Sequence, residues 1–159
     1  MTLEIFNMAV QSTYTPLLSE ILKKVHNAKT KDKKIEILKE NDHDSLRMII
    51  KSSFDPKIEW LIPEGNVPYK ENDAEEGTEH TVLRREAKKL YRFIKGGDTT
   101  LPQFKREDIF IQLLEGLHKS EAQLLIGAKD KKLHQVYKGL SENVVKEAFD
   151  WNDEFQRNN

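Results

Sequence analysis

Apolar residues in this chain recur three and four positions apart and nowhere alternate convincingly with polar ones, a pattern that predicts helices throughout. The spacing is clearest in Lys105–Leu117, where Ile109, Phe110, Leu113, Leu114 and Leu117 form one stripe and predict the central core helix. It is most informative in Thr81–Gly97. There Leu83, Ala87, Leu90 and Ile94 mark an apolar face, while Arg84, Arg85, Lys88, Lys89, Arg92 and Lys95 set six cations against one acid, Glu86. Arg85, Lys88, Lys89 and Arg92 share one face of the predicted helix, and Gly96 is placed to take the left-handed conformation that ends it. One side suits a core. The other suits either plain solvation, a common fate of lysine-rich faces, or a negatively charged partner.

Other local signals place the remaining elements. Met1–Gln11 has a weak apolar pattern, a short helix or a docking tail. Thr15 is the expected N-cap and Pro16 the first residue of a helix reaching His26, with Leu17, Leu18, Ile21, Leu22 and Val25 inward. Lys31–Glu40 is a second helix, and Asp42 is the expected cap of a third that runs to about Ser52. The proline-bounded segment Phe54–Pro63 is expected to plug the core with its aromatics. Glu64–His80 holds six acids (Glu64, Glu71, Asp73, Glu75, Glu76, Glu79) and one lysine, and reads as a long loop. Such a loop either connects or closes over the basic helix. Ser120 and Gln123 match a capping box for a helix ending near Lys129. Lys129–Leu140 is basic and irregular, Ser141 caps a last helix, and Trp151 and Phe155 pin the tail.

The resulting expectation is an all-α, compact single-domain bundle of about six to eight helices with one long acidic loop. Residues 16–62 form the N-terminal helices, 63–80 the loop, 81–149 the C-terminal helices and 150–159 the tail. A length of 159 residues suits one domain with a real core. The 26 cations and 27 anions leave a formal net charge of −1, so a nucleic-acid footprint has to be local. The absence of cysteine removes disulfides, thiolate metal sites and cysteine nucleophiles. No apolar run approaches the roughly 18 residues of a membrane span, and Met1–Val10 lacks the basic start of a signal peptide. The composition reads as a soluble, intracellular protein with no membrane contact.

Catalytic chemistry finds no constellation. Gly96-Gly97 follows a helix instead of opening one, which suits a cap and not a phosphate loop. His26, His43, His80, His118 and His134 are scattered, the acids of the loop lack the spacing of a calcium site, and no serine has a nucleophile-elbow context. The expectation is a non-enzyme with no catalytic residue, metal or cofactor. Nucleic-acid binding has better material. The basic helix is the first candidate surface, Lys129, Lys131, Lys132 and Lys138 the second, and Lys29, Lys31, Lys33 and Lys34, diluted by Asp32, the third. Two of these on one surface would track a phosphate backbone. Tyr91 and Tyr137 are expected to be half-buried.

Two resemblances sharpen this reading. The blocks Phe54–Leu61, Glu86–Tyr91, Phe93–Gly97 and Ala128–Leu133 resemble an uncharacterised family of small proteins from T-even-like phages of marine cyanobacteria. That resemblance implies a phage protein in the infected host cytoplasm. Separately, Ile21-Leu22, Lys34–Asn41 and Leu46-Arg47 resemble the opening of the helical DNA-binding domain of ATP-dependent DNA ligases, and Val136–Leu140 resembles its close. This second resemblance implies an all-helical module that grips duplex DNA by its backbone. Lys138 stands where that family has proline, and the nucleotidyltransferase motif lysine-x-aspartate-glycine is absent, so ligation is excluded for this chain alone. The leading expectation is therefore a non-enzymatic phage accessory protein that binds double-stranded DNA. The competing one is an interaction module that docks on phage replication or transcription proteins, or another phage or host machine, through the acidic loop or Trp151 and Phe155. A third is a minor virion component.

Overall fold

A computed structural model describes residues 15–73 and 81–157. Among them the chain forms eight α-helices and one 3-10 helix, with two isolated bridges and no strand. The helices are α1 (Leu18–Asn27), α2 (Lys31–Glu40), α3 (Asp44–Phe54), α4 (Leu83–Glu86), α5 (Gln103–Gly116), α6 (Lys119–Lys129), α7 (Leu133–Val136) and α8 (Glu142–Phe149), and the 3-10 helix, Ala87–Phe93, follows α4 directly. The all-α expectation holds. Met1–Gln11 and Glu75, Glu76 and Glu79 of the acidic cluster lie outside the described residues.

The core is built on α3, whose buried Leu46, Ile49 and Ile50 meet α6 on one side and the 3-10 helix on another. Helix α2 lies between α1 and α8, which brings the two halves of the chain together. Phe93 and Phe110 meet edge to face at 5.1 Å, and Trp60 approaches Phe110 at 6.5 Å. The 54–63 segment thus packs on the core as its aromatics predict. Trp151 is buried between Phe149 and Phe155, which holds the tail.

Several caps differ from the local sequence signals. Helix α1 begins at Leu18, not at Pro16, and has no side-chain cap from its own neighbourhood. Its first N–H donates instead to Glu121 Oε2 at 3.0 Å, 103 residues away. The other oxygen of the same carboxylate accepts from the N–H of Leu83 at 2.9 Å, at the start of α4. One buried carboxyl group therefore satisfies one orphan donor at each of two helix starts. Ser120 forms no capping box. Its hydroxyl pairs with His118 Nδ1 at 2.7 Å and with Ser19 Oγ at 2.8 Å, and His118 caps α6. His43 replaces Asp42 as the cap of α3, because Asp42 is engaged by Arg47 and Arg157. Ser141 caps α8 as predicted.

Candidate nucleic-acid interface

The basic segment is not one α-helix. After a single turn of α4 it tightens into seven residues of 3-10 helix. The burial pattern matches that repeat, since Ala87, Leu90 and Phe93 are buried at intervals of three, whereas the α-helical reading had Ile94 as the last inward residue. The far end is held by outside partners. Arg106, buried in α5, donates to the carbonyls of Arg92 at 2.8 Å and Asp98 at 3.0 Å and to Gln103 Oε1 at 2.6 Å. The N–H of Leu61 donates to the Phe93 carbonyl at 2.7 Å, and that of Lys95 to the Glu59 carbonyl at 2.9 Å. Gly96 has φ +86° as predicted, and a Cβ on Gly97 would lie 1.9 Å from the Tyr91 carbonyl oxygen.

In a 3-10 helix residues three apart eclipse one another, so the outward residues form straight columns. Lys88 and Tyr91 make one exposed column, which Arg85 extends from α4, and Lys89 and Arg92 make the next. Arg85 and Lys88 have no ion pair among the described residues. Lys89 meets Glu86 only at 4.0 Å, and Lys95 meets Glu59 at 3.6 Å in a pair exposed enough to yield to another anion. Arg92 is half-buried, its Nε donating to the Lys89 carbonyl while its guanidinium lies 5.4 Å from the Phe93 ring centroid. Tyr137 is buried, but Tyr91 is 53% exposed, which corrects the expectation of half-burial.

Arg84 departs from the predicted row. It turns inward, one guanidinium nitrogen 2.7 Å from His43 Nε2 and the other donating to the Pro16 carbonyl at 3.2 Å. With Arg85, Glu121, Val82 and Thr15 to Leu17 it lines a pocket at the start of α1. Burial pulls its pKa below the ordinary arginine value. His43 meanwhile presents Nδ1 to the N–H of Leu46 at 3.2 Å. Both ring nitrogens face donors. A neutral imidazole has a lone pair for one of them and a charged ring has none.

Burial, then Arg84 and Arg47, accordingly hold His43 below the usual histidine pKa, against the opposing pull of Asp42 and Asp44. The unfolded chain, titrating near 6.5, then takes up the proton first. Stability is full above that pH and falls as the pH drops toward the lower folded pKa. Urea denaturation at several pH values between about 7.5 and 5 should show this slope in the native chain and a flatter one in His43→Gln. Superimposable profiles would remove His43 as the source.

The second basic segment does not form a surface. Lys129 is withdrawn from it altogether: its side chain is 0% exposed, and Nζ donates to the carbonyls of Pro63 at 2.7 Å and Gly65 at 3.1 Å beside the Asp130 carboxylate. Placing it among DNA contacts is corrected on that ground. Lys131 bonds the Asp55 carbonyl, and burial lowers its pKa. Lys132 pairs with Glu64 at 3.4 Å on the surface. Lys138 stands apart from these, its N–H on His26 Nδ1 at 2.8 Å and the neighbouring Gly139 against the Lys34 side chain. It therefore converges with the third segment, where Lys34 is tied to the carbonyls of Val25 and Ala28, Lys31 to Glu147 and Lys33 to Glu36.

Two exposed cations missed in the sequence come near each other in the fold. The Ser19–Ser120 hydroxyl contact sets the first turns of α1 and α6 side by side. Exposed Lys119 starts α6, and exposed Lys23 stands one turn beyond Ser19 on α1. Neither has an ion pair among the described residues. The available signal was their helix position, which means nothing until the partner helix is known.

The described part of the acidic loop runs elsewhere than over the ridge. Gly65 N–H donates to Asp130, Lys70 N–H to Glu115 at 2.7 Å and Asn72 to the Glu115 carbonyl, while Thr81 N–H returns to the Gly116 carbonyl at 3.1 Å. Lys70, Asn72 and Thr81 are thus all fastened at the end of α5. Trp151 and Phe155, offered above as docking groups, are buried and unavailable. No cluster of three or more metal-binding side chains occurs among the described residues, and no helix there is long and apolar enough to cross a membrane.

Together these features define a small all-helical domain with a basic 3-10 ridge. Residues 21–135 match the model of DUF6433, a family of unknown function, and the chain belongs to that family. No curated protein and no solved structure matches it.

Proposed function

We propose that this chain is a non-enzymatic accessory protein, of phage origin, that holds duplex DNA through its phosphate backbone in the host cytoplasm. The observation that carries the reading is the Arg85–Lys88 column, two exposed cations without an ion pair among the described residues, flanked by Lys89, Arg92 and Lys95. Phosphate contacts of this kind position a duplex without reading its sequence. Lys119 and Lys23 add two exposed cations near the neighbouring first turns of α6 and α1, and the ligase-like blocks at 21–22, 34–41, 46–47 and 136–140 point to the same class of ligand. The phage-like blocks at 54–61, 86–97 and 128–133 support the origin, and all lie inside the matched residues 21–135.

The test is binding of a labelled duplex by anisotropy at two salt concentrations. Affinity should fall steeply with salt, and Arg85→Glu with Lys88→Glu should weaken it at least about tenfold and flatten the salt slope by about two. Lys105→Glu, an exposed lysine on α5, should change little. Salt-independent binding, or equal loss from the control, would overturn the reading.

A second reading rests on Phe104, 75% exposed on α5 near Glu107 and Asp108. A single exposed ring is ordinary on a protein surface, and it becomes a docking group only where a partner covers it. Nuclease-resistant capture of a partner that Phe104→Ser abolishes would favour it.

A further inference from the structure

From Tyr91 we infer that the ridge also holds single-stranded nucleic acid, with one base stacked on the Tyr91 ring, so that the favoured ligand carries unpaired bases beside its phosphates. This rests on the backbone-binding reading above and names the kind of strand that the same site takes. Tyr91 is 53% exposed at the middle of the cationic segment. Its hydroxyl has no hydrogen bond and its ring no aromatic partner among the described residues. A phenol ring with this exposure among cations has a face free for a flat partner to stack on.

The 3-10 geometry supplies the alignment. Lys88 eclipses Tyr91 one turn of about 6 Å before it, and Arg85 continues that line. Arg92 follows in the next column and Lys95 lies just past the end of the helix. A strand laid along this line would place phosphates against Arg85 and Lys88 while a base turns onto the ring. Stacking of this type needs a base free of its own neighbours and tolerates any sequence, since every base has a flat face. The paired bases inside a duplex do not present that face, so duplex affinity should rest on the cations alone.

The segment is also held firmly enough to act as a platform. The Tyr91 carbonyl accepts from Ile94 N–H at 3.2 Å and packs on Gly97, and Arg106 fixes the Arg92 carbonyl next to it. The backbone under the ring is thereby tied on both sides. Little ordering remains to be done when a base arrives.

The experiment compares three labelled probes by anisotropy: a dT oligomer of about 20 nucleotides, the matching rU oligomer, and a 20-base-pair duplex, lengths chosen to exceed a site of about 4–16 nucleotides. Tyr91→Ala should weaken dT binding by about ten- to a hundredfold, Tyr91→Phe should leave it within about twofold, and neither should change duplex binding. Equal loss on rU extends the ligand to RNA, and no rU binding restricts it to DNA; both support the stacked base. Helical circular dichroism should match the native chain in all variants. Unchanged dT affinity in Tyr91→Ala, or equal losses on dT and duplex, would overturn the inference. The two readings fail separately. If Arg85→Glu with Lys88→Glu abolishes duplex binding while Tyr91→Ala leaves dT untouched, only the stacking falls. If the charge reversal changes nothing on any probe, the backbone reading falls as well.

Discussion

Glu121→Ala should destabilise the protein by about 3–5 kcal/mol, a large part of the 5–15 kcal/mol that holds a domain of this size folded. The carboxylate is fully buried and accepts from Leu18 N–H and Leu83 N–H, the first donors of α1 and α4. Alanine leaves both donors buried without an acceptor, at about 1–3 kcal/mol each. Glu121→Gln keeps the shape but turns an NH2 group toward one of the donors, so about half the loss should remain. Urea denaturation near neutral pH measures both. If both variants stay within about 1 kcal/mol of the native chain, this carboxylate is not the joint between the two halves.

Lys129→Met should cost about 3–5 kcal/mol, because it breaks a buried pair and strands the acceptors around it. The ammonium serves the carbonyls of Pro63 and Gly65 and the Asp130 carboxylate, which also accepts from Gly65 N–H at 3.1 Å. The effect should be felt first where those carbonyls lie. Hydrogen exchange in residues 63–73 should rise before exchange in α3 does. Affinity of the remaining folded protein for a duplex, and the salt slope of that affinity, should not change. A lowered salt slope at native stability would instead return Lys129 to the interface.

Lys129 also shows where local reading of the chain stops. Its neighbours, Lys131 and Lys132, make it look like one charge in a solvated row. Only the fold reveals that α6 ends against the 63–65 turn, so that the first lysine points inward and the third outward. The same limit applies to Glu121, which reads as the second letter of a capping box started by Ser120. Its actual partners are 38 and 103 residues away, and no window of local sequence contains them. Helix cores were legible, because burial at three- and four-residue spacing is set by the chain itself: Ile109 to Leu117 and Val144 to Phe149 lie where their periodicity puts them. Caps built from neighbours, Thr30 and Ser141, suit the same kind of reading.

The ridge falls between these cases. Its cations and its glycine ending were plain in the sequence, but its winding was not. Leu83, Ala87, Leu90 and Ile94 satisfy an α-helical repeat, while Ala87, Leu90 and Phe93 satisfy a three-residue one, and the two differ only in which aromatic or aliphatic residue goes inside. Phe110, Arg106 and the 59–61 segment decide for Phe93. That choice moves Tyr91 outward.

The tighter winding makes the segment a ruler of unusual length. Seven residues of 3-10 helix span about 14 Å, where an α-helix would span about 10.5 Å. Relaxation to the α form would shorten the ridge by a quarter and turn its straight columns into a spiral. Arg106, with no charge at the surface, therefore helps to set the spacing of the charges that are there. Loss of its grip on the Arg92 carbonyl would retract Lys88 from Lys95 without removing either, and a binding surface of the same composition would no longer match the same stretch of backbone.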